Sequence, residues 1–477
     1  MNWEAVIGVE VHLRLKTEHK LFCRDRAVFG AAPNTHICPV CIGLPGALPV
    51  LNAHAVELAL QTALAFGCRI NLDSTWARKS YFYPDLPKGY QITQFEKPIA
   101  TDGRVMFSSS EDKGLVGIRR VHIEEDAGKL LHDKALGASA IDFNRAGTAL
   151  VEIVTEPDLR TPEDVRSFLG ELKQTVEYIG ASDCNMEEGN LRVDANVSVR
   201  PVGSLELGNK TEIKNVNSFS GIEKALSLEI RRQLSLMKEG GLVNQKTLLW
   251  DDHRSELREM RSKEESNDYR YFPEPDLHPL VLSQGQVTAA LDSLPELPRD
   301  RRYRFKKTYE LKDYDADVLT QTATTADYFE DLVGINVDPK VAAKWVTGPL
   351  QALMNQHRED AQSIPVRPEI MGELIRLVER GVVSESAAKT VMVILVEDGG
   401  SPSDIIEARG LAQERDLGQL TDWVTEVLAK YPEEVSRYRD GELKILGYLV
   451  GQVMNSSGGA ADPKIVRNLL IDYLNDS

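Results

Sequence analysis

Cysteine is scarce, with five in 477 residues, which excludes a disulfide framework in a chain of this length. No stretch approaches the roughly 20 consecutive apolar residues that cross a bilayer. The start, Met1-Asn2-Trp3-Glu4, lacks the basic residues and apolar run of a signal peptide. A cytoplasmic chain with no membrane contact is therefore expected. Basic excess is missing as well. The formal net charge is -17, whereas phosphate contacts favour Lys and Arg and a basic stripe is the usual footprint of a nucleic-acid binder. Composition alone favours an enzyme with a small substrate and leaves RNA binding to a local basic face. There is no internal repeat and no low-complexity segment. There is also no G-x-x-x-x-G-K-[ST]: Gly241 to Thr247 lacks the second glycine, so any bound ATP does not sit on a P-loop. Ser456-Ser457-Gly458-Gly459 lies between two helical stretches without a lysine constellation, and reads as a linker rather than a serine amidase site.

What is present is a 42% hydrophobic chain long enough for two to four domains. Its first ~290 residues are mixed in pattern. Ala5 to Leu13 reads as a strand with Val9, Val11 and Leu13 on one side and Glu10 and His12 on the other. Asn52 to Phe66 reads as a helix stopped by Gly67. Val116 to Glu124 alternates, Leu150 to Val154 is a short strand, and Thr161-Pro162-Glu163-Asp164 opens a helix to about Ile179. Leu191 to Arg200 and Lys210 to Asn215 alternate again. Together they predict an α+β domain with a mainly antiparallel sheet. Leu294-Pro295-Glu296-Leu297-Pro298 reads as a linker. Beyond it, helix starts at Asp338, Arg367, Ser384 and Ser401 predict a helical bundle. Thr421 to Lys430, Glu442 to Met454 and Asp462 to Leu474 predict a small helical tail.

Three clusters carry chemistry. Glu10-x-His12 and His122-x-Glu124-Glu125-Asp126 lie on strands, and Glu152 sits inside an apolar strand. Carboxylates with one imidazole suit Mg²⁺ or Mn²⁺, which prefer oxygen ligands and leave positions for nucleotide phosphates. Taken singly, a charged strand residue is ordinarily a solvated face; the combination points to a site. Arg78 to Gln91 interleaves basic and aromatic residues around two prolines. That pattern suits phosphate contacts and base stacking as well as it suits a packed loop. Cys38-Pro39-Val40-Cys41 is a knuckle with Cys23 fifteen residues upstream. Structural zinc needs a fourth ligand, and Asp25 and His36 are the nearest candidates. Cys68 and Cys184 read as small core residues.

Longer stretches carry a resemblance. IGVEVHLRL at 7–15, CPVCIGLPGALPVLN at 38–52, RKSYFYPDLPKGYQITQ at 78–94 and HIEEDAGKLLHD at 122–133 are similar to the B-subunit family of aspartyl/glutamyl-tRNA amidotransferases. So are DFNRAGTALVEIVTEPD at 142–158, SDCNMEEGNLRVDANVSVRP at 182–201, TEIKNVNSF at 211–219, MRSKEESNDYRYFPEPDLHPL at 260–280 and LVGQVM at 449–454. These run the length of the chain in family order. The resemblance implies an α+β fold: a glutamine synthetase-like antiparallel cradle over 1–293, an all-α domain over 294–405 and a helical, tRNA-contacting tail over 406–477. It implies a carbon–nitrogen ligase that uses glutamine as amide donor. ATP phosphorylates the side-chain carboxylate of Glu or Asp esterified to tRNA(Gln) or tRNA(Asn), and ammonia displaces the phosphate.

Carried over residue by residue, Glu10, His12, Glu125 and Glu152 line a Mg²⁺ site, with Glu124 not separable from Glu125. Lys79, Tyr81, Lys88 and Tyr90 line the same cavity, with Lys79 also a catalytic candidate. Arg192, Asp194, Asn196, Glu212, Lys214, Asn215 and Asn217 form the cradle floor. Zinc-containing relatives show Cys-x-Cys where this chain has Cys23-Arg24-Asp25, which makes the implied zinc set Cys23, Asp25, Cys38 and Cys41. The implied partners are an amidase-type glutaminase and a small bracing polypeptide, which complete a heterotrimer, and the misacylated tRNA, met in the tail by Lys444, Lys464 and Arg467. The related archaeal glutamate-specific protein carries a large insertion for which the linker near Pro295 leaves no room.

Overall fold

The structure is a computed structural model describing residues 2–108, 113–133, 137–260, 269–414 and 416–475. Residues 261–268 of the 260–280 family stretch lie outside the described residues. The chain folds as two compact units, Met1–Leu297 and Pro298–Ser477. Among the described residues no helix is long and apolar enough to cross a membrane.

The first unit opens with β1 (Trp3–Arg14) and α1 (Ala53–Ala65). The short strands β2 (Arg69–Ile70), β3 (Asp73–Ser74), β4 (Ala77–Ser80) and β5 (Tyr90–Thr93) follow. Next come β6 (Ala100–Ser108), β7 (Lys113–Glu125), β8 (Lys129–Asp133), β9 (Ala138–Asp142) and β10 (Ala149–Thr155). Then come α2 (Pro162–Tyr178), β11 (Leu191–Pro201), β12 (Thr211–Val216), α3 (Phe219–Lys238), β13 (Lys246–Asp251) and β14 (Glu256–Glu259). β15 (Phe272–Pro273), β16 (Leu280–Val281) and α4 (Gln284–Asp292) complete it. One nine-stranded sheet dominates, ordered β14-β13-β12-β11-β1-β10-β7-β6-β2. Its pairs are antiparallel except β12 with β13. A second sheet, β15-β4-β5, brings the basic-aromatic stretch beside β7.

Alternation decides what each face of the large sheet does. Val9, Val11, Leu13, Val121, Ile123, Val151, Ile153, Val193, Ala195 and Val197 form one buried core with Phe168, Leu169 and Leu172 of α2, Ile222 and Leu226 of α3, and α1. The helices start where local chemistry allows. Thr161 accepts from the Asp164 amide ahead of Pro162, and Ser218 accepts from the Gly221 amide. The opposite sheet face carries Glu10, His12, Glu152, His122 and Arg192.

Among the described residues the second unit is built of helices, with two isolated β-bridges (Val383 with Ala412, Glu414 with Ala461), and holds two separate cores. One gathers residues from Phe305 to Ile406 and the other from Leu420 to Leu474. Side-chain caps at Asp338, Ser384 and Ser401 begin three helices, as their sequence patterns suggest. Arg367 caps nothing; there Pro368 at the first position supplies the start. The helices Pro298–Thr308, Asp313–Leu319, Ala323–Gly334 and Pro432–Arg439 were not legible in the sequence. The first reads as six cations in eleven residues, and partner acids explain it. Arg301 lies 2.9 Å (Nε) from Glu330 and Arg304 lies 2.7 Å from it.

Candidate active site

Register builds the site. His122 pairs with Glu152, Glu152 with His12, and His12 with Arg192, so one row crosses the four adjacent strands β7, β10, β1 and β11. Glu124, two residues beyond His122, joins the row on the same face. His122 Nε2 lies 2.9 Å from Glu152 Oε2 and 3.6 Å from Glu124. His12 Nε2 lies 3.5 Å from each of the two carboxylates. Donor atoms of His12, Glu124 and Glu152 all lie within 4.8 Å of one another. Both glutamates are buried.

Burial works against ionising these carboxylates, but the imidazoles overcome it. His122 holds Glu152 well below the usual carboxylate range, and also lowers Glu124. The reciprocal effect charges the histidines. Burial opposes it, yet Glu152 and Glu124 push His122 up to about 9, and Glu152 raises His12. A pocket that takes up protons this readily is a pocket of strong negative potential. Two glutamate oxygens and one imidazole nitrogen are also a donor set suited to a hard divalent cation. His122 Nδ1 is buried without a hydrogen-bond partner among the described residues.

Glu10 lies on the same face two residues before His12, where Asn196 Nδ2 donates to it at 3.1 Å. Burial and the neighbouring Glu152 and Glu212 raise its pKa. Around it, Lys214 Nζ sits 2.9 Å from both Asp194 and Glu212. Arg192 pairs with Asp126 at 2.9 Å, and its buried Nε has no hydrogen-bond partner among the described residues. Asn215 and Asn217 lie elsewhere, lining a hollow with Trp250 and His253.

Glu125 is placed differently from Glu124. By strand alternation it points away from the row. It forms an ion pair with Lys88 and accepts from the Ile92 amide at 2.9 Å. Thus the structure brings Glu124, not Glu125, to His12 and Glu152. Of the basic-aromatic loop, Lys79 and Tyr81 face the acidic row. Lys79 Nζ lies 4.8 Å over the Tyr269 ring, and Glu124 and Glu152 raise its pKa against the effect of burial. Burial, then Glu124, pushes the Tyr81 hydroxyl up. Lys88 and Tyr90 go with Glu125, the Lys88 ammonium 5.2 Å from the Tyr90 ring.

A second cluster joins Cys23, Asp25, Cys38 and Cys41, whose donor atoms also lie within 4.8 Å of one another. Cys41 Sγ is 3.2 Å from Asp25 Oδ2. A hydrogen bond from Cys23, helped by Lys20, pulls the Cys41 thiol down to about 6. His36 is not in this group; its carbonyl accepts from the buried Lys20 Nζ at 2.7 Å. Cys68 and Cys184 are buried elsewhere.

Two family models match the chain: a GatB/GatE catalytic domain over residues 5–288 and a GatB domain over 327–474. Curated proteins named as the B subunit of aspartyl/glutamyl-tRNA(Asn/Gln) amidotransferase match along its whole length. The Carboxydothermus hydrogenoformans protein is 47% identical over 99% of both chains. The Geotalea uraniireducens protein is 47% identical over 100% of both, and that of Thermosynechococcus vestitus is 46% identical over 100% of this chain and 97% of its own. The chain belongs to the GatB/GatE catalytic-domain family. The matched GatB/GatE span contains the acidic row, the basic-aromatic loop and the cysteine cluster. Two residues beside these clusters were not among those carried over from the resemblance. His122 belongs to the strand cluster that the sequence shows but was not placed in the Mg²⁺ set, although the period of two that selects Glu124 also selects His122. Lys20 gave no signal at all, since a lone lysine in a loop reads as solvated.

Protons and a divalent cation would compete for this row. The histidines are charged below their raised values and neutral above them. Mn²⁺ affinity should therefore rise, with proton release, as pH is raised toward about 9. Calorimetry in buffers of different ionisation heat reads both. Affinity that ignores pH, or survives Glu152→Gln unchanged, contradicts this reading of the row.

Proposed function

We propose that this chain is the amidating subunit of a tRNA-dependent amidotransferase, converting Glu-tRNA(Gln), Asp-tRNA(Asn) or both to the amide. The observation that carries the reading is the row of buried Glu124 and Glu152 with half-buried His12, facing the cations Lys79 and Arg192, within a family whose curated members bear that name. A carboxylate is a poor electrophile until its oxygen becomes a leaving group. ATP transfers its γ-phosphoryl group to the side-chain carboxylate, giving an acyl phosphate and ADP; ammonia then attacks the carbonyl carbon and phosphate leaves.

Glu124, Glu152 and His12 would hold Mg²⁺, with Glu10 beside them. Bound there, the ion would neutralise charge on the transferring phosphoryl group. Arg192 and Lys79 offer donors to phosphate oxygens from either side of the row. Lys214, Asp194, Glu212 and Asn196 form a charged floor that orients Glu10. Tyr81, Tyr90 and Lys88 line the loop side, where the acceptor end of the tRNA would enter. The attacking nitrogen becomes cationic and must lose a proton. Glu125, kept buried by Lys88, is the carboxylate proposed to accept it.

Zinc fits the second cluster, because three thiols and one carboxylate converge as a closed four-donor set. The chain offers no glutaminase signature, so ammonia must come from another polypeptide. An amidase-type glutaminase and a small bracing polypeptide are the proposed partners in a heterotrimer. The glutamine synthetase-like character of the sheet, and tRNA contact through Lys444, Lys464 and Arg467 on the tail, belong to the same proposal.

The reconstituted heterotrimer, given ATP, Mg²⁺, glutamine and each misacylated tRNA, should amidate at least one of them. A well-folded complex that amidates neither removes the proposal. The chain purified without chelator should carry about one zinc; under about 0.3 equivalents by atomic emission sinks the zinc assignment.

A further inference from the structure

The cysteine turn and the Lys88–Glu125 pair touch. The turn is internally tied: the Ile42 amide donates to the Cys38 carbonyl at 3.2 Å, Gly43 to Val40 at 3.1 Å and Leu44 to Pro39 at 2.8 Å. Gly43 therefore moves with Cys38 and Cys41. It holds φ of +71°, and a Cβ there would come 2.5 Å from Lys88 Cγ and 3.2 Å from Lys88 Cα. No side chain but hydrogen fits between the turn and Lys88. On the carboxylate side Gly147 plays the matching part. A Cβ on it would lie 3.3 Å from Cys41 Cβ, 3.6 Å from Lys20 Cδ and 3.8 Å from Glu125 Oε2. Its amide donates to the Asp126 carbonyl and its carbonyl accepts from the Leu21 amide. Both partners of the pair are almost wholly buried, the side chains 8% and 3% exposed.

We infer that the Cys38–Leu44 turn is a positioning element for the Lys88–Glu125 pair, acting on the lysine through Gly43 and on the carboxylate by way of Gly147. The cysteine cluster then does more than staple a loop. It fixes where a buried ammonium can stand, and through it where Glu125 stands. Burial makes the arrangement unforgiving: displaced from each other, neither charge finds water to replace its partner. Gly43 is thus a positioning residue that acts through Lys88, not a group that meets substrate.

The inference rests on the amidotransferase reading, and a double-mutant cycle in the assembled heterotrimer separates the two. Gly43→Ala should lower kcat for amidation roughly 10- to 100-fold, as misplacement of a reacting group by about an ångström does, with KM for tRNA unchanged. Lys88→Met should also lower kcat. If Gly43 acts through Lys88, the Gly43→Ala/Lys88→Met double variant is no slower than Lys88→Met alone. Gly46→Ala controls for backbone strain. It lies in the same loop at φ +86° with nothing near its Cβ, and should retain wild-type turnover. Multiplying effects in the double variant, full activity of Gly43→Ala, full activity of Lys88→Met, or an equal loss in Gly46→Ala overturns the inference. An inactive wild-type complex instead sinks the functional reading itself.

Discussion

Two carboxylates, Glu124 and Glu152, are buried within a few ångströms of one another, and the first unit is organised around making that tolerable. Taking like charges out of water together is among the most costly acts in a fold. His12 and His122 offset it by approaching both acids. That works only while β7, β10 and β1 keep their register, because a slip of one residue would send every member of the row into the apolar core. Three helices packed on the other face, and the hydrogen-bonded neighbours on both sides of each strand, hold the register. The site is thus paid for by the core beneath it.

The same logic explains how a chain of net charge -17 can face phosphate. Lys79, Lys88, Arg192 and Lys214 are gathered at the site, each close to an acid. Net charge describes the whole molecule, while binding depends on the local field.

Much of this was legible in the sequence, and what was hidden has physical causes. Period-two alternation put Glu10 and His12 on one face and marked Glu152 as out of place between Val151 and Ile153. It could not say that β1 lies between β10 and β11, since pairing partners are set by topology and not by local pattern. For that reason Glu124 and Glu125 stayed unresolved in the sequence; the fold separates them by giving Glu125 to Lys88, just before β5, and to the Ile92 amide of β5. The cysteine spacing gave three ligands and left Asp25 and His36 open; the family resemblance pointed to Asp25, and the fold brings that carboxylate to the thiols. In the second unit, the helices opened at Asp338, Pro368, Ser384 and Ser401 were visible. The Pro298–Thr308 helix was hidden because its charges look solvated until Glu330 and Asp327 arrive from another helix.

The central claim is that Glu124 and Glu152, rather than Glu125, hold the phosphoryl-transfer step. Its most direct measurement is the first half-reaction alone: misacylated-tRNA-dependent ADP formation by the complex without glutamine, with hydroxylamine present to capture the acyl phosphate. Glu124→Gln and Glu152→Gln should abolish ADP formation and hydroxamate together, while Glu125→Gln still forms both. ADP formed at the wild-type rate by the Glu124→Gln/Glu152→Gln double variant would contradict the account.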